Sequence, residues 1–185
     1  MKTGNWITTM SGTKWFITDP SPEDVRIGDI AHALSLICRY SGHCREFYSV
    51  AEHSLRMARI ANKERGMNAA MWALLHDAAE AYLGDMVRPL KQLMPEYKAI
   101  ETLTEGVIIR GLGLKPVCPA CRDYVKQLDD VLLMTERRDL VNHCGHEWTP
   151  RATPLEYVIV PMRSKEAYRQ FLDFYGQLYM DGGML

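Results

Sequence analysis

The chain lacks the features that mark several large classes of protein. No run of eighteen apolar residues occurs, the length a helix needs to span a bilayer. The opening residues, Met1-Lys2-Thr3-Gly4-Asn5-Trp6, carry no apolar signal core. The 5 cysteines are an odd, irregularly spread set and suggest no disulfide framework. Together these absences predict a cytoplasmic protein with no membrane partner. Charge of one sign is lacking too: 22 basic and 23 acidic residues leave a net charge of −1. Binding to a polyanion needs clustered Lys and Arg, so no nucleic-acid partner is expected. A small phosphorylated ligand needs only a few local charges and stays open. Neither G-x-x-x-x-G-K-[ST] nor G-x-G-x-x-G is present, so any nucleotide must be held without those loops. Internal repeats, low-complexity tracts and long charge runs are also missing.

What remains is an ordinary globular composition, 47% hydrophobic and 24% charged over 185 residues. Such a chain buries roughly 70% of its unfolded surface and sustains one core. A single domain, 1–185, is expected. The 11 methionines are scattered and read as core filler. Residues 12–18 alternate weakly, as a short strand would. Ile27, Ile30, Ala31, Leu34 and Ile37 fall at helical spacing and predict a helix from Ile27 to Tyr40, ended by Ser41-Gly42. Ser49-Val50-Ala51-Glu52 has the form of a capping box and opens a second helix to about Asn62. Asn68 is read as the cap of a third, which runs through His76 to a stop at Gly84. Further helices are expected over 96–110 and 121–142 and from Ser164 to about Met180. Glu156-Tyr157-Val158-Ile159-Val160 reads as a short strand. Strands and helices do not alternate, so the expectation is an all-α bundle with small extended segments near the termini.

The most informative segment is ALLHDAAEAYLGD, residues 73–85. Charged residues inside an apolar helix are rarely buried unless paired or bound to a metal. On one helix His76 and Glu80 are four apart and share a face, and Asp77 and Glu80 are three apart. A His-Asp dipeptide alone is common and means little. Two other segments add to it: His53, in SVAEHS, on the preceding helix, and Asp129, in VKQLDD, on the long late one. Polar side chains facing inward from several helices are a usual way to build a metal site in a bundle. Two imidazoles and two carboxylates form a mixed N/O set that suits one divalent metal, with Co, Mn, Zn, Fe and Ni not distinguished.

A His, then a His-Asp pair, then a distant Asp, in that order between Ile30 and Leu140, resembles the HD-domain phosphohydrolase superfamily. Within it the chain is most similar to bacterial 5′-deoxynucleotidases and phage dATP triphosphohydrolases. The resemblance implies an HD-domain helical bundle with His53, His76, Asp77 and Asp129 as metal ligands, Asp130 being the neighbouring alternative. It also implies catalytic roles for Glu80, three residues after the His-Asp pair, and for Asp85 after Gly84. Arg39-Tyr40 matches the family's upstream Arg-aromatic pair, expected to bind substrate, with Arg88 and Lys91 as further phosphate-binding candidates. Arg137, eight residues after Asp129 and read as lying on the same face, is open to a substrate contact or to a salt bridge with Glu80 or Glu136. A homo-oligomer, dimer or larger, is implied, in the host cytoplasm if a phage encodes the chain.

The expected activity is removal of the 5′ phosphate or triphosphate from a deoxynucleotide, with dATP to deoxyadenosine and triphosphate favoured. A 5′-deoxynucleotidase acting on dNMPs is the alternative within the class. A non-catalytic, metal-stabilised binding module is the alternative outside it. Cys118-Pro119-Ala120-Cys121 with His143, Cys144 and His146 offers residue types for a second, tetrahedral zinc site, although a long predicted helix separates the two halves.

Overall fold

The computed structural model describes residues 4–149 and 151–181. It is an all-α bundle with one small hairpin. The hairpin strands, β1 (Trp6–Thr8) and β2 (Lys14–Phe16), pair antiparallel with Trp6 opposite Phe16 and Ile7 opposite Trp15. The pleat turns Trp15 inward, where its ring stacks on Tyr82 at 3.7 Å between centroids. The helices are α1 (Ile27–Leu36), α2 (Val50–Arg65), α3 (Met67–Leu75), α4 (Glu80–Leu83), α5 (Arg88–Gln92), α6 (Pro95–Gly111), α7 (Pro119–Leu140) and α8 (Ser164–Asp181). No helix among the described residues is long and apolar enough to cross a membrane.

α2 is the central element and packs on α1, α3, α7 and α8. Val50, Ala51, Leu55, Met57, Ala58 and Ala61 are all buried. Ser49 caps it as expected, its side chain accepting from the Glu52 amide at 3.1 Å. The reciprocal half of the box is replaced: Glu52 accepts instead from Arg56 and from the Met162 amide. α2 and α3 are joined by Gly66 alone. Its φ of 80° is open to glycine at little cost, so the chain reverses there, and α3 starts at Met67 rather than after Asn68. Ala69, Ala70 and Ala73 of α3 are small and buried, which suits two helices packed along their length.

Three expectations need correction. The first helix ends at Leu36, not Tyr40. Residues 37–39 turn extended and pair with 48–50: Val50 donates to Ile37 O at 3.1 Å and Arg39 to Tyr48 O at 2.9 Å. Tyr40 and Ser41 then both lie in the left-handed region, at φ 57° and 51°. The third helix is not continuous to Gly84. Between Leu75 and Glu80 the Ala78 and Glu80 amides bond to carbonyls three residues back, a tightened turn in place of α-helix. Finally, Glu156–Val160 is not a strand. Its backbone partners are side chains. Arg138 donates to Leu155 O and Tyr157 O, Asp139 accepts from the Ile159 amide, and Arg56 donates to Val160 O. Residues 155–162 are thus a strap tied across α7 and α2.

Candidate metal centre and cleft

α2 carries His53 into the core, where it is fully buried. The tightened turn after α3 brings His76 and Asp77 to the same place. The donor atoms of His53, His76 and Asp77 all lie within 4.8 Å of one another. The His76 ring pairs with its neighbour, Nε2 lying 3.0 Å from Asp77 Oδ2, because the turn breaks the α-helical face expected to join His76 to Glu80. α7 supplies Asp129, whose Oδ1 is 3.3 Å from His53 Nε2.

Hydrogen bonds behind the two rings fix which nitrogen each presents. His76 Nδ1 lies 2.8 Å from Ala73 O, and only an N–H can bond a carbonyl. His53 Nδ1 lies 2.6 Å from Glu136 Oε1. In the neutral form both imidazoles therefore carry hydrogen on Nδ1 and turn the lone pair of Nε2 inward, the arrangement of metal-binding histidines. His53 Nε2 is buried and, apart from its ion-pair contact with Asp129, has no hydrogen-bond partner among the described residues. A divalent cation between that nitrogen and the Asp77 and Asp129 carboxylates would satisfy all three, so the residues fit a metal.

The electrostatics agree. Burial and Arg39 push the His53 imidazolium pKa down, but Glu136 and Asp129 outweigh them and raise it to about 9. The site holds a proton tightly where a cation would sit. Burial opposes ionisation of Asp77, yet His76, His53 and Arg39 keep it well below the usual carboxylate range. Asp129 is held down to about 2 against burial, chiefly by His53. Glu80 goes the other way: burial, then Asp77 and Asp85, raise it well above its ordinary value. Its Oε2 is buried without a hydrogen bond among the described residues. Asp85, just past Gly84, is raised mainly by burial.

A cleft of about 650 Å³ opens in front of these groups. Arg39, Tyr40, Asp77, Glu80, Asp85, Arg88, Lys91 and Asp129 line it, and through Asp77 and Asp129 it reaches the His53 and His76 cluster. Arg39 Nη1 is 3.6 Å from Asp77 Oδ2. Arg88, half exposed, reaches Asp129 at 3.2 Å and Asp130 at 3.3 Å. Lys91 sits 2.6 Å from Glu101 and 3.9 Å from Glu80.

Two residues of this region escape a reading of the sequence. Glu136 is wholly buried. Its Oε1 faces His53 Nδ1, and its Oε2 accepts from Tyr40 OH at 2.6 Å and from Arg39 Nε at 3.1 Å. The available signal was its place seven residues after Asp129, about two helical turns on the same face. The other is Trp148, in the loop after α7, which lines the cleft beside Tyr40. Arg137 does not share the face of Asp129, since eight residues rotate by about 80°. It pairs with neither Glu80 nor Glu136, but donates to His146 O at 2.6 Å and lies over the Trp148 ring. The second zinc site does not assemble. Cys118 caps the start of α7, whereas His143, Cys144 and His146 follow its end, and 22 residues of helix lie between. That helix is about 33 Å long.

No protein-family model matches the chain. The uncharacterised protein YfdR of Escherichia coli (strain K12) is 37% identical over 178 residues, which cover 94% of this chain and 96% of YfdR. The chain belongs to the YfdR family. Its relative RCAP_rcc00048 of Rhodobacter capsulatus, also uncharacterised, is 36% identical over 143 residues, covering 73% of this chain and 72% of the relative. A relative with a named activity matches a shorter stretch: the 5′-deoxynucleotidase ECA3034 of Pectobacterium atrosepticum is 33% identical over 109 residues, 50% of this chain and 53% of that enzyme.

Proposed function

We propose that the chain is a metal-dependent phosphohydrolase of the HD type that acts on the 5′ phosphate of deoxynucleotides. The cluster of His53, His76 and Asp77, with the buried Nε2 of His53 turned to Asp129 and making no hydrogen bond among the described residues, beside a cleft lined by Arg39, Arg88 and Lys91, carries this reading. Likeness to proteins named 5′-deoxynucleotidase supports the substrate class.

His53, His76, Asp77 and Asp129 would hold the metal, which when bound polarises a phosphoryl group and acidifies water. Arg39 binds a phosphate oxygen from the cleft wall while Glu136 anchors its Nε. Glu80 and Asp85, both in the cleft lining and both raised by burial, would share the two proton transfers, one from the attacking water and one to the leaving oxygen.

Between the two phosphate substrates, a monophosphate suits this cleft better than dATP. The cleft lining offers three basic residues, Arg39, Arg88 and Lys91, against five acidic ones, Asp77, Glu80, Asp85, Asp129 and Glu147. Each of the three bases already has a carboxylate within 4.0 Å, which leaves little positive charge for a triphosphate. Metal-stripped protein resupplied with Mn or Co, and incubated with panels of dNMPs and dNTPs, tests the proposal. Deoxynucleoside should appear from dNMPs and disappear in a folded Asp77→Ala variant. No deoxynucleoside from any substrate sinks it, and release from dATP alone sinks the monophosphate preference.

A further inference from the structure

We propose that Trp148 is the platform on which the nucleobase of the substrate stacks, an inference that rests on the nucleotide reading of the cleft. Residues 142–147 form an exposed loop beyond α7, and Trp148 alone within 142–149 is half-buried. It does not join the core; it lines the cleft. Its ring lies 6.0 Å from that of Tyr40, tilted by 46°. The Arg137 guanidinium sits 5.3 Å above the Trp148 ring and also donates to His146 O, so one side chain holds both the indole and the loop. Tyr40 is equally fixed, by its left-handed backbone and by its bond to Glu136.

The cleft wall is mixed: Asp77, Glu80, Arg39 and Lys91 line it together with Leu133, Val141, Tyr40 and Trp148. A phosphate uses only the charged groups. An indole held rigid by a cation suits a flat π-ligand attached to that phosphate. His43 and Thr149 stand at the same cleft, where polar groups can meet a base edge. Stacking of this kind tolerates any base, because every base has a π face. The expected preference is for a nucleotide over a base-free sugar phosphate, with modest discrimination among bases.

The test compares wild type, Trp148→Ala and Trp148→Phe on a deoxynucleoside 5′-monophosphate and on 2-deoxyribose 5-phosphate. Loss of base stacking costs about tenfold to a hundredfold in affinity. Trp148→Ala should raise KM for the nucleotide by that factor with kcat little changed, leave the base-free substrate unaffected, and be rescued by Phe. A loop-anchoring role would move both substrates together and overturns the proposal. Equal nucleotide KM in wild type and Trp148→Ala also overturns it, while leaving the hydrolase standing. Calorimetric titration with dNMPs covers the case of no turnover. Binding lost in Trp148→Ala keeps the platform and rejects the hydrolase; binding that is equal in the two, or absent from wild type, rejects the platform.

Discussion

Replacing Glu136 tests whether the centre is built as described. Its carboxylate has no exposure and faces three partners: His53 at 2.6 Å, Tyr40 at 2.6 Å and Arg39 at 3.1 Å. Charge-assisted hydrogen bonds contribute about 1.5–3 kcal/mol each, but they largely repay the cost of burying the carboxylate, so their sum overstates the loss. The largest loss in Glu136→Leu comes from the buried Arg39, left beside one carboxylate fewer. Breaking a buried ion pair from one side costs about 3–5 kcal/mol. For a chain of this size each kcal/mol moves Tm by about 2–4 °C, so a fall of about 6–20 °C is expected. Glu136→Gln keeps the shape and an acceptor for one partner and should lose about half as much. Both variants also loosen the His53 tautomer, and loss of such an outer hydrogen bond lowers metal affinity about 10- to 100-fold. Thermal unfolding of the metal-free protein, paired with calorimetric Mn titration, reads both effects. A Glu136→Leu protein that melts within 2 °C of wild type and binds metal equally would refute the reasoning.

The metal-free protein should have a limited pH range. Glu136, ordinarily near 4.5 and held at about 2, contributes stability that is complete above 4.5 and lost as pH falls toward 2. His53, raised from 6.5 to about 9, contributes stability that is complete below 6.5 and lost as pH rises through 9, while Glu80 and Asp85, raised by burial, add a loss that sets in above their ordinary values, so Tm should peak near pH 4.5 and fall on both sides; a Tm unchanged from pH 6.5 to 9 contradicts the His53 assignment. Arg39→Lys retains the charge but not the fork that serves Glu136 and the cleft together. It should fold and should raise KM for a dNMP at least tenfold, and unchanged kinetics would remove Arg39 from phosphate binding. Ser41→Gly relieves a left-handed φ of 51° at an exposed position and should stabilise by about 0.5–1 kcal/mol in urea unfolding; a loss of stability would show that the Ser41 side chain is needed. Cys118→Ser with Cys144→Ser should leave metal content unchanged by elemental analysis, and a fall of one zinc per chain would restore the second site.

Where helical pattern and cap agreed, the fold was legible. The Ser49 cap, the Gly84 stop and the α8 span all follow from local rules, and each residue there serves the same helix it announces. Legibility failed where tertiary contacts overrule the local pattern. The apolar run through Leu75 reads as continuous helix, yet the chain tightens so that His76 and Asp77 reach His53. Tyr40 and Ser41 have no left-handed preference, and the pairing of 37–39 with 48–50 puts them there. Val158-Ile159-Val160 looks like a strand because of its side chains, but its backbone is tied by Arg138, Asp139 and Arg56, which no strand pattern encodes. At the site, the residues with a distinctive order were visible and those defined by partners were not. Glu136 stands in the charged run Thr135-Glu136-Arg137-Arg138-Asp139, which reads as a solvated face until its burial is known. Trp148 lies in a loop, where no periodicity says which way a ring turns.

On the proposed function, the placement of charge would let one centre serve both metal and phosphate. Three carboxylates, Asp77, Asp129 and Glu136, are held ionised although burial opposes it. Arg39 answers two of them, and the His53 proton answers Glu136 and Asp129. That proton is the replaceable part: a divalent cation at Nε2 supplies more positive charge at the same point and leaves the Nδ1 bond to Glu136 intact. Arg39 is the fixed part, because Glu136 holds its Nε in either state. A cation that competes for Asp77 weakens the 3.6 Å pair with Arg39 Nη1 and frees that end of the fork toward the cleft. Metal and phosphate binding should then be linked in sign, with each favouring the other, because the group released by the first is the group that receives the second.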